Sequence, residues 1–214
     1  MHLLFNGVVP EPLAEIQHAT DSFWNSGTGV FEQGLVYEVV APSGKGKTTL
    51  LDIIFGRRKD FTGKYFIDET PAEKLTLNQW ATIRTHHISY VFQGLRLFKH
   101  LTGLENIELK NNLTKHFSKD EIIELAHELN IGNQLQKKAG LMSFGQQQRL
   151  SIIRALSQPF EWLLLDEPFS HIDPETSLLA AEIISRTCKK HNAGCIITRL
   201  SKEKYIEPDK QIIL

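Results

Sequence analysis

Short, mainly apolar runs separated by helical patterns organise most of the chain. The run Val36–Val40 leads into a glycine-rich turn, and Thr48–Phe55 behind that turn repeats its apolar positions as a helix does, ending near Gly56. Other apolar runs have the length of strands: Ile88–Phe92, Trp162–Leu165, Cys195–Thr198 and Gln211–Leu214. Because these runs are compact and apolar, they are typical of strands buried in a largely parallel sheet. Strands that alternate with helices predict an α/β fold.

Residues 94–142 have a different pattern. The sequence Ser118-Lys119-Asp120-Glu121 is a capping box, in which a serine and a glutamate three positions later bond to backbone N–H groups at a helix start. Behind it, apolar residues recur on one helical face: Ile122, Leu125, Ala126 and Leu129. The ordinary interpretation of such a stripe is packing inside a helical lobe. The alternative is a groove that binds a partner.

Composition and charge narrow the classes of protein that fit. The 214 residues suit one large domain or two small lobes. A formal net charge of -1 gives no bulk electrostatic case for binding nucleic acid. Two cysteines cannot make a disulfide framework, which favours a reducing cytosol. No apolar run approaches a bilayer span and MHLLFNGVVP lacks a basic leader, so we expect contact with a membrane only through a partner.

Cys188, His191 and Cys195 have a spacing that resembles a metal site. Only three ligands are visible, however, whereas structural zinc usually takes four, and Cys195 begins a predicted buried strand. We therefore expect two buried thiols and a surface histidine here.

The glycine-rich turn, APSGKGKTT at positions 41–49, nearly matches the phosphate-binding pattern G-x-x-x-x-G-K-[ST], with Ala41 in place of the first glycine. A pattern this loose arises by chance in roughly one or two chains per hundred of this length, so a plain turn is the alternative. Its position between a predicted strand and a predicted helix favours a nucleotide cradle, because backbone N–H groups at a helix N-terminus bind phosphate. The candidate cradle comprises Ala41, Pro42, Ser43, Gly44, Lys45, Gly46, Lys47, Thr48 and Thr49.

Two side chains of the cradle and one distant segment supply the expected chemistry. Lys47 can reach the β- and γ-phosphates of a nucleotide, and the hydroxyl of Thr48 can bind Mg²⁺. In WLLLDEPFSHID, an apolar strand delivers Asp166 and Glu167 at its end. Asp166 would hold Mg²⁺ through water, and Glu167 could polarise the attacking water. Acidic residues are common at strand ends, so this motif indicates a nucleotide site only in combination with the glycine-rich turn.

A third motif, LMSFGQQQRLSIIRAL at positions 141–156, completes a specific order. The loop is followed by a lone glutamine in YVFQ, then by Ser-x-Gly-Gln, and then by DEP with Ser-x-x-Asp. In this order the chain resembles the ATP-binding cassette (ABC) transporter ATPases, from about Gly34 to its C-terminus. The segment VFQGLRLFKHLTGLENIEL further resembles the lipoprotein-releasing and macrolide-exporter branch.

The resemblance implies a role for each matching position. The family permits alanine at the first position of its loop, so the cradle is expected to bind ATP. Gln93 matches a glutamine that contacts Mg²⁺ and senses the membrane partner. In the family, the signature motif contacts the γ-phosphate held by the opposite subunit of a head-to-tail dimer, and Ser170–Asp173 matches the loop that communicates between the two sites. The signature positions here are Ser143, Phe144, Gly145 and Gln146.

Several positions depart from the family pattern. Phe144 replaces the first signature glycine and would be strained if its φ were positive, whereas Met142 for leucine is a mild change. Arg199 replaces the histidine that usually contacts the γ-phosphate. The hypothesis is that Arg199 makes this contact and that hydrolysis is slow; the alternative is a surface arginine. Trp24 is one candidate for stacking on adenine, although we expect it in the core, and the N-terminal strand is expected to be short.

We therefore predict an ATP-hydrolysing ABC transporter subunit with ATP and Mg²⁺ as cofactors. In this single domain a sheet core (about 1–93 and 158–214) carries the cradle and the carboxylates, and a helical subdomain (about 94–157) carries the signature. Two subunits, identical or different, would close on ATP and drive a separate transmembrane permease from the cytoplasmic face of the membrane. The alternatives are a slowly hydrolysing, ATP-gated regulatory clamp and a soluble ABC ATPase without a transport role.

Overall fold

A computed structural model describes residues 1–199 and 204–214 of the chain. Within these residues there are nine strands: β1 (Leu3–Pro10), β2 (Gly29–Phe31), β3 (Val36–Val40), β4 (Phe61–Ile67), β5 (Thr70–Pro71), β6 (Ile88–Val91), β7 (Trp162–Asp166), β8 (Gly194–Thr198) and β9 (Lys210–Ile213). The same residues contain seven α-helices: α1 (Phe23–Ser26), α2 (Lys47–Ile54), α3 (Leu77–His86), α4 (Gly103–Thr114), α5 (Lys119–Glu128), α6 (Phe144–Leu156) and α7 (Pro174–His191).

A parallel sheet in the order β6-β7-β8-β3-β9 forms the centre of the molecule. All strands predicted from apolar runs belong to it, each within one residue of its predicted ends. Every residue of β6, β7 and β8 is buried, as expected for strands covered on both faces. Because the strands are parallel, their carboxyl ends meet at one edge. That edge receives both the glycine-rich turn after β3 and the carboxylates that end β7.

A second sheet, antiparallel and in the order β2-β1-β4-β5, is absent from the sequence prediction. Its strand β1 is eight residues long, so the expectation of a short N-terminal strand is wrong. The register of β1 with β4 shifts between Asn6 and Val9. This irregularity breaks the period-of-two alternation by which a half-buried strand is recognised in a sequence.

Two hydrophobic clusters cover the parallel sheet. Successive residues of a strand point to opposite faces, and accordingly Leu164 belongs to one cluster while Leu163 and Leu165 belong to the other. The first cluster includes apolar residues of β1, β4, α2 and α3. The second includes apolar residues of α4, α5, α6 and α7.

The helical pattern behind Ser118 is confirmed. The N–H of Glu121 donates to the hydroxyl of Ser118 at 3.2 Å, and the N–H of Ser118 donates to the Glu121 carboxylate at 2.7 Å, which is the predicted capping box. The four residues of the stripe are all buried: Ile122, Leu125, Ala126 and Leu129. The stripe is therefore internal packing and not a partner groove. The subdomain boundaries at 93/94 and 157/158 stay a prediction.

Within residues 1–199 and 204–214, no helix has both the length and the hydropathy needed to cross a bilayer. The same ranges contain no cluster of three His, Cys, Asp or Glu side chains that could hold a metal ion. Cys188 and Cys195 are buried free thiols, as predicted, whereas His191 is half-buried and not on the open surface. A hydrogen bond with Cys188, together with burial, raises the pKa of the Cys195 thiol well above its ordinary value.

Candidate functional site

The phosphate loop (residues 41–49) connects the end of β3 to the start of α2. Gly44 and Gly46 have φ values of 77° and 97°, in the left-handed region that favours glycine. A Cβ at Gly46 would also lie 2.6 Å from a methyl of Leu13 and 2.9 Å from the indole nitrogen of Trp24. Ala41 is not among the residues with positive φ, so alanine is compatible with the first position of the loop.

Trp24 supports this loop from inside the protein. It is 1% exposed, and its indole N–H donates to the carbonyl oxygen of Lys45 at 3.3 Å. The expectation of a core tryptophan is therefore confirmed. Burial leaves Trp24 no free face for stacking on an adenine ring.

The side chain of Lys47 is hydrogen-bonded to the phosphate loop. Its Nζ donates to the carbonyl oxygen of Ala41 at 2.8 Å and to that of Pro42 at 3.3 Å. The side chain is buried, so these backbone acceptors hold the ammonium group in one place. A phosphate bound in the loop would meet a cation that is already positioned, which makes for a short, charge-assisted hydrogen bond.

Asp166, the last residue of β7, is hydrogen-bonded to the phosphate loop. The Thr48 hydroxyl donates to Oδ2 of Asp166 at 2.8 Å, and the Thr198 hydroxyl donates to Oδ1 at 2.7 Å. Asp166 is 1% exposed, so these two hydroxyls fix the plane of its carboxylate. Thr198 belongs to the site although no sequence motif indicates it. The sequence feature that could have indicated Thr198 is its hydroxyl group at the carboxyl end of an apolar strand.

The backbone turns sharply at Glu167, directly after β7, because its φ is 52°. Its backbone N–H is held by the hydroxyl of Thr198 at 3.1 Å and by the carbonyl of Thr198 at 3.2 Å. Its Oε2 accepts a hydrogen bond of 2.8 Å from Nε2 of Gln93. Burial raises the pKa of Glu167 above its ordinary value, and the hydrogen bond from Gln93 partly opposes this rise. A more basic carboxylate is better suited to accept a proton.

Gln148 joins helix α6 to the segment of the carboxylate pair by hydrogen bonds, a role that was not predicted from the sequence. Its Nε2 donates to the carbonyl oxygen of Pro168 at 2.8 Å and to that of Glu167 at 3.4 Å. Gln148 is 1% exposed and lies one turn into the helix, on the same face as buried Ile152 and Ala155. A glutamine on the apolar face of a helix is the signal that could have identified it.

The signature residues form the start of α6. Ser143 is the N-cap: its hydroxyl accepts from the Gln146 N–H at 3.3 Å, and its own N–H donates to the Gln146 side chain at 3.0 Å. Phe144 is the first helical residue and has no positive φ, so the strain considered for it is absent. A Cβ at Gly145 would lie 2.7 Å from the carbonyl oxygen of His171, and the rings of Phe144 and His171 pack edge-on with centroids 4.2 Å apart. The signature therefore contacts the loop that follows the carboxylate pair.

Arg199 follows β8 and forms an ion pair with Glu38 of β3. The Arg199 side chain is 19% exposed and that of Glu38 is 2% exposed. Gln211 donates to the other carboxylate oxygen of Glu38 at 2.8 Å. The interpretation of Arg199 as a surface arginine is wrong, because the side chain is largely buried against a carboxylate. Its contact with a γ-phosphate stays a prediction, and its contact with Glu38 was not predicted from the sequence.

The donor groups beside the loop fit Mg²⁺. This ion prefers oxygen ligands and is usually bound by one or two carboxylates together with the phosphates of a substrate. The hydroxyl of Thr48 and the carboxylate of Asp166 are in direct contact, and Gln93 reaches the next carboxylate, Glu167. The structure thus brings together the residues that the sequence analysis assigned to nucleotide and metal.

Comparisons with known proteins agree with this arrangement. The family model for the ABC transporter family matches residues 27–170. A phosphonates import ATP-binding protein of Lactiplantibacillus plantarum is 32% identical over 168 residues, which cover 73% of this chain and 65% of that protein. A macrolide export ATP-binding/permease protein of Pasteurella multocida is 34% identical over 169 residues, covering 77% and 26%. An ABC transporter ATP-binding protein of Thermotoga maritima is 33% identical over 168 residues, covering 77% and 70%.

The chain spans less than two thirds of the length of the first two of these relatives. Among solved structures, a bacterial ABC transporter cassette in dimeric form is 24% identical with a TM-score of 0.78, covering 92% of this chain and 87% of that one. A post-hydrolysis state of an ATP-binding cassette, dimeric and bound to ADP and phosphate, is 23% identical with a TM-score of 0.78, covering 93% and 88%. These similarities confirm the predicted α/β fold with its parallel sheet.

Proposed function

The chain belongs to the ABC transporter family, and from this premise we propose that it is the subunit that binds and hydrolyses ATP in such a transporter. The observation that carries the proposal is the hydrogen bond from Thr48 to Asp166, next to the hydrogen bond from Gln93 to Glu167. These two contacts join the phosphate loop to a pair of carboxylates at the carboxyl edge of a parallel sheet. Ligands of open α/β sheets bind at this edge.

In the proposed reaction, water attacks the γ-phosphate in line with the leaving oxygen, and the protein contributes positioning and charge neutralisation. Backbone N–H groups of the phosphate loop and Nζ of Lys47 bind the triphosphate. Glu167 accepts the proton of the attacking water, and Gln93 orients the Glu167 carboxylate. Mg²⁺ held by Thr48 and Asp166 would supply further neutralisation of charge on the phosphates.

We propose further that two subunits close head to tail on ATP, with Ser143 of each meeting the γ-phosphate bound by the other. Ser143 begins α6, and a helix N-terminus favours an anion. Helix α6 packs in the cluster shared with α4 and α5, whereas the helix that follows the phosphate loop packs in the other cluster. Two solved structures similar to this chain are themselves dimers, which supports the proposal.

The proposed partner is a transmembrane permease, contacted near Gln93, with the cassette on the inner face of the membrane. One relative is an import ATP-binding protein and another combines ATP-binding and permease parts in one chain, which supports a transport role. Purification from detergent-solubilised membranes should recover the cassette together with a membrane protein. Recovery of the cassette alone, from the soluble fraction only, would contradict this part of the proposal.

A multiple-turnover assay of phosphate release tests the enzymatic part. We expect many phosphates per cassette, and omission of Mg²⁺ should stop release. Release of at most one phosphate per cassette, together with ATP-dependent dimerisation, would instead identify a regulatory clamp.

Ser143→Arg should weaken ATP-driven dimerisation far more than ATP binding by the monomer, because the serine acts on the nucleotide of the opposite subunit. The matched control is Ser118→Arg, which removes the same kind of capping box from α5. Each change should cost the helix about 1 kcal/mol, so both variants lose similar stability. Light scattering with ATP then separates them: Ser118→Arg dimerises and Ser143→Arg does not. Equal dimerisation by the two variants would rule out a trans contact by Ser143.

A further inference from the structure

Glu38 places a buried carboxylate within the apolar strand β3. The residue is 1% exposed, and its two carboxylate oxygens have different partners. Oε1 lies against Nη2 of Arg199, and Oε2 accepts from Nε2 of Gln211 at 2.8 Å. A buried charge persists in a protein only where it is paired and hydrogen-bonded. The ion pair of Glu38 with Arg199 is therefore part of the sheet's structure and not a solvent-exposed surface pair.

The strand register shows which way the guanidinium points. Arg199 comes directly after the carboxyl end of β8, whereas Glu38 lies beside Ile197, two positions earlier on that strand. The Arg199 side chain thus reaches back along the sheet to meet Glu38. The phosphate loop starts in the opposite direction, beyond the carboxyl end of β3. The ion pair consequently holds the positive charge away from the edge where the triphosphate would bind.

Space for another position of this side chain is present. Glu38, Arg199 and Glu167 all line one cavity of about 270 Å³. Glu167 also marks the place of the attacking water in the proposed reaction. The cavity that Arg199 lines is thus also lined by Glu167, the residue whose carboxylate is proposed to act on the attacking water.

We propose that Glu38 is a positioning residue that withholds Arg199 from the γ-phosphate. The inference rests on the proposed function, because it concerns the ATP bound at the site described above. The planar guanidinium group binds carboxylates and phosphates with the same donor geometry, so Glu38 and the γ-phosphate compete for it. Nucleotide affinity is then lower than Arg199 could make it.

Glu38→Gln tests the proposal, because the amide keeps the shape and loses the charge that holds Arg199. The probes are ADP and the non-hydrolysable ATP analogue adenylyl imidodiphosphate, titrated calorimetrically with Mg²⁺. Only the analogue has a γ-phosphate, so its affinity should rise about tenfold, the value of one hydrogen bond to a charged group. The affinity for ADP should stay at the wild-type value.

Two further variants make the assignment specific. In the background of Arg199→Gln, the change Glu38→Gln should give no gain, since the released group is missing. Glu32→Gln is the matched control, because it also removes the carboxylate of an ion pair, that of exposed Glu32 with Lys210 at 2.9 Å, and it should change neither affinity. If Glu38→Gln does not fold, Glu38→Met replaces it, because apolar residues of similar size are often tolerated in place of a buried ionic group.

The outcomes distinguish failure of the proposed function from failure of the withholding role of Glu38. A wild-type protein that binds neither ADP nor the analogue would refute the proposed function itself. A wild-type protein that binds both, with a Glu38→Gln variant of unchanged preference between them, would refute only the withholding role. Equal gains for ADP and the analogue, or a gain that survives in the Arg199→Gln background, would also refute it, because neither result involves Arg199 and the γ-phosphate.

Discussion

Replacing Glu167 by glutamine is expected to lower steady-state ATP hydrolysis by roughly 10²- to 10⁴-fold, the usual contribution of a general base. Glutamine keeps the length and shape of the side chain, but its amide cannot take the proton of the attacking water. It can still contact Gln93, which now donates to Oε2 of Glu167 at 2.8 Å. ATP binding and ATP-driven closure should therefore survive, and the variant should accumulate as an ATP-bound dimer.

Phosphate release and light scattering in the presence of ATP and Mg²⁺ measure the two parts of this prediction. The control is Glu182→Gln, which removes an exposed carboxylate from the middle of α7 and should hydrolyse ATP at the wild-type rate. Hydrolysis by Glu167→Gln at the rate of this control would show that Glu167 is not the base.

The pH dependence of hydrolysis offers a second test of the same residue. Burial raises the pKa of Glu167 above its ordinary value, so the carboxylate should take up a proton at a higher pH than an exposed glutamate does. A protonated Glu167 cannot act as a base, and kcat should fall as the pH drops through this raised pKa. An acid limb of kcat at the pH of an ordinary glutamate would contradict the assignment.

Replacing Lys47 by alanine is expected to reduce affinity for ATP by roughly tenfold or more, because a hydrogen bond to a charged group contributes about 1.5–3 kcal/mol. The Lys47 ammonium is buried and held by the carbonyl oxygens of Ala41 and Pro42, so it is ordered before any phosphate arrives. Folding has thus already ordered this long side chain, so ATP binding does not carry that entropic cost. Alanine removes both the charge of Lys47 and the two hydrogen bonds that Lys47 makes to carbonyl oxygens of the loop.

Calorimetric titration with ATP measures this loss, and Lys64→Ala is the control, since Lys64 is an exposed lysine of β4. A thermal melt of both variants distinguishes weaker phosphate binding from collapse of the loop. Unchanged ATP affinity in a folded Lys47→Ala variant would overturn the assignment of residues 41–49 as a phosphate loop.

The sequence by itself determined the features that depend on neighbouring residues. A run such as Trp162–Leu165 is apolar throughout, and only a strand covered on both faces suits it. The capping boxes at Ser118 and Ser143 each lie within four residues, so local hydrogen bonds suffice to start their helices. The phosphate loop follows the same rule, because its glycines, Lys47 and Thr48 are adjacent in the chain. The order of motifs then indicated that Asp166 and Glu167 belong to the same site.

Only the tertiary structure decided the contacts between distant segments. Thr198 and Gln148 hold the carboxylate pair from β8 and α6, and Glu38 holds Arg199 from β3. Each contact depends on strand register and helix packing, and no periodicity of the sequence encodes a pairing of two particular residues. The antiparallel sheet escaped prediction for a related reason, since a register shift hides its alternation. Arg199 shows the difference most clearly: its position at the end of β8 follows from the chain, but the direction of its charge depends on a buried carboxylate some 160 residues away.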